Sequence, residues 1–207
     1  MPVEYQAGGV LYTGRFTYAV YGLAYAMTKV LQQDGDHVRI GSIFAEHAAQ
    51  AMADTKETLC ANIINRAYTS GYNGPDGVVL GSASHPIRNG TFSNILATAS
   101  VLSQTSLEQL LIQIRGAVDN SGKKCKLMPK KLVVATGNSM QAEILLNSVL
   151  RTGTANNDIN PVKSMGQLKD IACLSRLTSS TAWGITTDVQ KGLRVFQRQK
   201  IEKAMEG

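Results

Sequence analysis

The stretch DHVRIGSIFAEHAAQAMADTKETLCANIINRAYT, residues 36–69, decides the architecture. Ile40, Ile43, Phe44, His47, Ala48, Ala51, Thr55, Leu59 and Ile63 recur at spacings of three and four, which lines them along one stripe of an α-helix. Alanine is abundant, and neither Gly nor Pro interrupts the run after Gly41. Asp36 stands where an N-cap belongs. About thirty residues at a rise of about 1.5 Å make a rod of roughly 45 Å. That is long for a chain of 207 residues, and the rod is expected to act as a spine.

Upstream, residues 1–34 hold five of the seven tyrosines: Tyr5, Tyr12, Tyr18, Tyr21 and Tyr25. The run from Leu11 to Leu31 is rich in β-formers and broken by Gly14 and Gly22, which predicts two strands and a turn. A lone two-stranded hairpin is barely stable in water, so something else must cover it. A pair packed on its own domain and an arm lying on a neighbouring subunit satisfy that need equally well.

Downstream, residues 70–104 are rich in turn formers. SGYNGPDG is followed by the apolar run GVVLGSA and then by HPIRNGTFSN, where Asn89-Gly90 is a hairpin-turn signal. A loop, a short strand and a second exposed loop are expected. Residues 105–190 alternate helix and strand. Thr105 and Glu108 have capping-box spacing ahead of Leu107, Leu110, Leu111, Ile114 and Val118. KLVVA at 131–135 reads as a buried strand, and Asn138 as the cap of a helix bearing Ala142, Leu145, Leu146 and Val149. Further strands are expected near Ile171–Leu174, Trp183–Thr186 and Gly192–Gln199, the last followed by a charged tail. The fold class is therefore α+β, with a mixed sheet in the 105–190 lobe.

Composition excludes several function classes. Hydrophobic residues make up 43% and charged residues 17%, which is globular and not disordered. No apolar run reaches eighteen residues, and no secretory signal opens the chain, so no membrane partner is expected. Cys60, Cys125 and Cys173 are widely separated, with no CxxC pair; they suit a reducing compartment. The net charge of +6 is compatible with a polyanion. The basic residues are mostly scattered, with short clusters at Lys123, Lys124, Lys126, Lys130 and Lys131 and from Lys191 to Lys203. Neither cluster has the aromatic interleaving of a stacking groove.

Chemistry is hard to find. The phosphate-binding glycine loops, GxSxG and HExxH are all missing. His47 lies on the helical stripe and His37 at its start. His85 precedes Pro86 near Ser82, Ser84 and Asp76, and a turn built of small polar residues explains that group better than a nucleophile and base. Asp54 and Glu57 flank Lys56 on the helix as a solvated face, and Asp158 lies in a turn-like NNDIN. No catalytic residue, cofactor or metal site is expected.

Four stretches carry a resemblance. In ADTKETLCANIINRAYTSGYNGPDGVVLGSASHPIRNGTFSN (53–94), the elements are Thr55-Lys56-Glu57, Asn62 to Ala67, the glycine-rich turn, Ser82 with His85-Pro86, and Gly90 to Asn94. LSQTSLEQLLIQIRGAVDNSGKKCKLMPKKLVV (102–134), LRTGTANNDINPVKSMG (150–166) and TAWGITTD (181–188), with the single Trp183, follow in order. Over roughly residues 18–200 the chain resembles tailed-phage major capsid proteins of the Mu-like major head subunit type.

That resemblance implies the Hong Kong 97-type capsid fold. It divides the chain into an extended hairpin loop (1–34), a peripheral domain (35–104) with the spine helix at 36–69, an axial domain (105–190), and a strand and tail returning to the peripheral domain (191–207). Against the family pattern, an N-terminal arm and a final return strand are missing, so a truncated copy is the expectation. The implied function is a structural head subunit that self-assembles into pentamers and hexamers of an icosahedral shell around double-stranded DNA. Other copies of the chain would be its main partners, with scaffold, portal or decoration proteins besides. Its place would be the virion, after assembly in the bacterial host cytoplasm. Tyr12, Arg15, Phe16, Tyr18, Tyr21, Asn157 and Asp158 are the candidate inter-subunit contacts. The alternatives are an encapsulin-like nanocompartment shell around a cargo enzyme, and a small α/β hydrolase using His85 with Ser82 or Ser84.

Overall fold

A computed structural model describes residues 12–88, 90–151, 158–189, 192–200 and 202. Residues 12–28 run without helix or strand, and every one of them is exposed. The two-strand reading of Leu11 to Leu31 is thereby corrected over the described residues. Strands exist by pairing, and no backbone hydrogen bond joins residues 12–27 to another segment among the described residues. Thr28, whose hydroxyl accepts from the Leu31 N–H, opens the short helix α1 (Lys29–Gln33).

The spine is helix α2 (His37–Asn65), 29 residues and about 43 Å long. It ends four residues before the expected boundary, where the Arg66 N–H reaches back to the carbonyls of Asn62 and Ile64. Asp36 sits at the N-cap but gives the backbone no cap bond. Its carboxylate is turned to Arg39 instead, at 3.0 Å and 3.3 Å. Among the described residues of α2, Ala61 alone is buried. The helix is tied to the rest of the chain by polar contacts near its C-terminal half. Asn65 donates to the Arg176 carbonyl (3.1 Å) and accepts from the Thr178 N–H (3.0 Å), while Arg176 donates to Asp54 at 2.7 Å.

After α2 the chain makes a compact loop system. Gly77, at φ +80°, closes a turn onto Gly74, whose N–H bonds the Val78 carbonyl. The Val78–Leu80 run is too tightly flanked by turns to extend, and the expected short strand is reduced to one bridge, Asn73 to Val79. The strands lie later, as the antiparallel hairpin β1 (His85–Ile87) and β2 (Gly90–Phe92), in register His85–Phe92. The second exposed loop is therefore a hairpin, with Gly90 at φ +139° where a Cβ would be strained. Asn89 of the turn signal lies outside the described residues.

Helix α3 (Gln104–Arg115) is capped two residues earlier than its spacing suggested. Ser103 and Ser106 form the reciprocal capping box, and Thr105 and Glu108 do not. Glu108 is used elsewhere: it accepts from Gln104 at 3.0 Å and pairs with Arg151 at 3.4 Å. Strand β3 (Pro129–Ala135) follows, then a 3-10 turn (Thr136–Asn138) and helix α4 (Ser139–Asn147). Asn138 stands at the cap of α4 without a side-chain cap bond; its amide donates to the Thr181 carbonyl at 3.0 Å. Helix α5 (Pro161–Met165) begins with proline at its first position, is capped by Asn160, and stops at Gly166 in the left-handed region.

Strands β4 (Asp170–Leu174) and β5 (Trp183–Thr187) flank β3, giving the order β4-β3-β5. β4 pairs in parallel, so a crossover is obligatory, and α4 and α5 supply it. β5 pairs antiparallel, with Leu132 opposite Ile185 and Val134 opposite Trp183. The buried core gathers Leu107 and Leu111 of α3, Leu132 and Val134 of β3, Leu145 and Leu146 of α4, and Val162 of α5, with Ile171, Trp183 and Ile185 packed against it. It lies wholly within residues 102–185. The strand expected at Gly192–Gln199 does not form: residues 192–200 carry no helix or strand and are exposed.

Candidate assembly surface and the histidine–proline loop

The chain exposes far more surface than a compact monomer of its mass. A compact 22.2 kDa monomer exposes about 9,400 Å². This chain exposes 15734 Å². Even if the residues outside the description took the full surface of an extended chain, about 4,000 Å², an excess of at least about 2,000 Å² would remain.

Large apolar side chains are exposed along the first described segment. Phe16 is 74% exposed, Val20 96% and Leu23 59%. Tyr12, Tyr18, Tyr21 and Tyr25 are also exposed. The structure thus places four sequence-identified contact candidates, Tyr12, Phe16, Tyr18 and Tyr21, on one open segment, and Arg15 among them forms no ion pair among the described residues. Val20 and Leu23 join them as exposed apolar residues that sequence reading did not single out; the available signal was their place among alanines and tyrosines in residues 18–27, a stretch without a charged residue.

The segment touches its own chain lightly. The Tyr12 hydroxyl donates to the Pro86 carbonyl at 3.2 Å. Phe16 meets Phe196 with ring centroids 5.5 Å apart, and the Arg198 guanidinium lies 6.0 Å from the Tyr18 ring. Tyr25 stacks on Phe44 of α2 at 5.5 Å. Residues 16–18 and 196–198 therefore run side by side, away from the core. The same segment is not sequestered in any cleft.

Asp158 lies where the chain after Arg151 returns, at a closed loop base. Arg151 N–H bonds the Asp158 carbonyl at 2.7 Å, and Leu150 bridges Ile159. Asp158 is exposed and does not join the tyrosine segment, while Asn157 lies outside the described residues. The loop is anchored by Asn160, which is 1% exposed. Its amide donates to the carbonyls of Leu145 (2.8 Å) and Ser148 (3.0 Å), and its carbonyl accepts from the Val162 N–H (3.0 Å) and from Gln104 (3.4 Å). Val149 and Ile159 beside it are exposed.

The histidine–proline loop is a structural staple. His85 Nδ1 lies 2.6 Å from Asp76 Oδ2, and Nε2 faces the Leu80 carbonyl at 3.3 Å. Ser82 and Ser84 hydroxyls contact each other at 3.4 Å, and neither bonds the ring among the described residues. Both ring nitrogens are thus occupied by acceptors, and no serine–histidine relay is assembled. Partial burial works to raise the Asp76 carboxyl. The hydrogen bond from His85, that from the Val78 N–H and the attraction of the imidazole outweigh it and hold Asp76 below its ordinary value. Asp119 is also held low, by the Ser121 hydroxyl first and then by backbone N–H groups in its turn. No group of three His, Cys, Asp or Glu among the described residues is placed to hold a metal, and no helix among them is long and apolar enough to cross a membrane.

Neither the curated proteins nor the solved structures include a match to this chain. A family model described as phage capsid protein matches residues 14–202, from the tyrosine segment through the core to the C-terminal stretch. With nine-tenths of its length matched, the chain belongs to the phage capsid protein family, a structural class of the virion.

Proposed function

We propose that this chain is a major head subunit with the Hong Kong 97-type fold, assembling into pentamers and hexamers of an icosahedral shell around double-stranded DNA. The observation that carries the reading is the surface excess, 15734 Å² against about 9,400 Å² for a compact monomer. Permanent assemblies bury about 2,000–5,000 Å² at an interface, and a shell subunit has several neighbours. In this reading residues 1–34 are the extended arm, 35–104 the peripheral domain around α2, 105–190 the axial domain and 191–207 the returning tail.

The arm does not need to be a hairpin within the free protomer. Its edge groups and its tyrosines find partners when it is laid across a neighbour. Arg15 is available for an acidic residue of that neighbour, and the Asn157–Asp158 loop is the candidate contact near a ring axis. Repeated heterologous contacts of modest strength close a shell because each subunit makes many of them.

Electron microscopy and sedimentation of the purified chain test the proposal. Uniform particles or rings are expected. A well-folded species that stays monomeric at every concentration would overturn it, and particles filled with a cargo enzyme instead of DNA would transfer it to a nanocompartment shell.

A further inference from the structure

The start of β3 carries a feature that neither the core nor the arm uses. A concavity of about 380 Å³ opens there, lined by Pro129, Lys130, Lys131, Gly166, Lys169 and Asp170 among others. The register of β3 on β5 shifts between Pro129 and Lys131. A regular strand would send one of two successive lysines inward. The irregularity leaves both Lys130 and Lys131 exposed, as bulges do when they re-aim side chains. Directly across, Asp170 is the partner of Lys131, which brings Lys169 to the same rim.

The charge in this concavity is largely unbalanced. Lys131 lies 3.5 Å from Asp170 with both side chains more than half exposed, a weak pair. Lys130 and Lys169 form no ion pair among the described residues. Three lysines and one aspartate thus line the concavity, whose concave wall focuses the field of the excess positive charge. Lys126, exposed like Lys123 and Lys124, precedes the groove along the chain.

We propose that this groove seats the phosphate backbone of duplex DNA, taking two to three phosphates without reading base sequence. Lysine is a point charge on a flexible stem and suits phosphate. The lining offers no aromatic ring, so stacking of single-stranded bases is not provided for. The choice of DNA as the polyanion rests on the capsid reading above.

The test compares the full chain, a groove variant (Lys130→Gln, Lys131→Gln, Lys169→Gln) and a control of equal charge (Lys29→Gln, Lys56→Gln, Lys200→Gln). Binding of a labelled random-sequence duplex is followed by fluorescence anisotropy between 50 and 200 mM salt. Each phosphate contact contributes about 0.9 to the slope of log affinity against log salt, so the groove variant is expected to lose about 2–3 from the slope. Over that salt range this removes up to about a fortyfold fall in affinity, and the control is expected to lose less than a third as much. Equal losses in both variants would overturn the proposal, because net charge alone would explain them. Displacement of the duplex by polyglutamate at equal charge concentration would also overturn it, in favour of an acidic protein partner. Particle formation is scored in the same samples: absence of particles from the unaltered chain counts against the shell, whereas particles with unchanged slopes count against the groove alone.

Discussion

Substituting Val20→Ser together with Leu23→Ser separates the two places where the arm's apolar surface is covered. In the free protomer these side chains are 96% and 59% exposed and lie in the segment without secondary structure. Exposed substitutions of this kind move folding stability by no more than about 0.5 kcal/mol each. Burial of a Val or Leu side chain is worth about 1.5–3 kcal/mol. If neighbours cover both residues in the assembled state, the double variant loses about 3–5 kcal/mol per subunit there, discounted for partial exposure. At 1.4 kcal/mol per tenfold, the concentration at which assembly begins rises by about a hundredfold or more. Denaturant unfolding of the dissociated chain and light scattering across a concentration series report the two quantities separately. A variant that unfolds more than about 2 kcal/mol too easily, while assembling at the original concentration, would refute the reasoning, because the arm would then be packed within its own protomer.

Leu107→Ala acts in the opposite place. Its side chain is fully buried between α3 and the sheet, so a loss of about 3–5 kcal/mol in folding stability is expected from denaturant titration, with the slope unchanged. Asn160→Ala leaves the carbonyls of Leu145 and Ser148 and the Val162 N–H without their partner in a buried site, and is expected to cost at least about 1–3 kcal/mol by the same measurement. Asp76 has a folded-state pKa below its ordinary value. Its contribution is therefore fully present above the ordinary carboxylate pKa and is lost as pH falls through the lower folded-state value. Thermal melting of the unaltered chain is expected to drop as pH falls below about 4, and Asp76→Asn should flatten that limb while lowering the melting temperature at pH 7; an unchanged acid limb in the variant would dissociate Asp76 from it.

The assembly reading also explains an otherwise odd distribution of burial. The core is confined to residues 102–185, whereas α2, the longest element, buries Ala61 alone and is held by the Asn65, Arg176 and Asp54 contacts. Exposed ion pairs such as Arg176 with Asp54 are worth about 1 kcal/mol or less. A helix of 29 residues fixed so lightly gains its packing where other surfaces are brought against its stripe. The Phe16–Phe196 and Tyr18–Arg198 contacts place the C-terminal stretch beside the arm, so both would meet the same neighbour.

Local periodicity made α2, α3, α4 and the three strands of the mixed sheet legible before any coordinates, because the i, i+3, i+4 stripe and the short β-branched runs are carried within a few residues. The α+β class followed from their order. Residues whose partners are far away were not legible in the same way. Ser103 and Ser106 took the capping box from Thr105 and Glu108 because Gln104 and Arg151 claim the glutamate. His85 found Asp76 and the Leu80 carbonyl, which a linear reading lists only as neighbours in a turn. The tyrosine segment shows the division most plainly: its composition predicts strands, but a strand is a relation between two segments, and among the described residues none pairs with it by backbone hydrogen bonds. Composition determined that this surface is apolar and must be covered; the arrangement of the core in space decided that its own chain leaves it open.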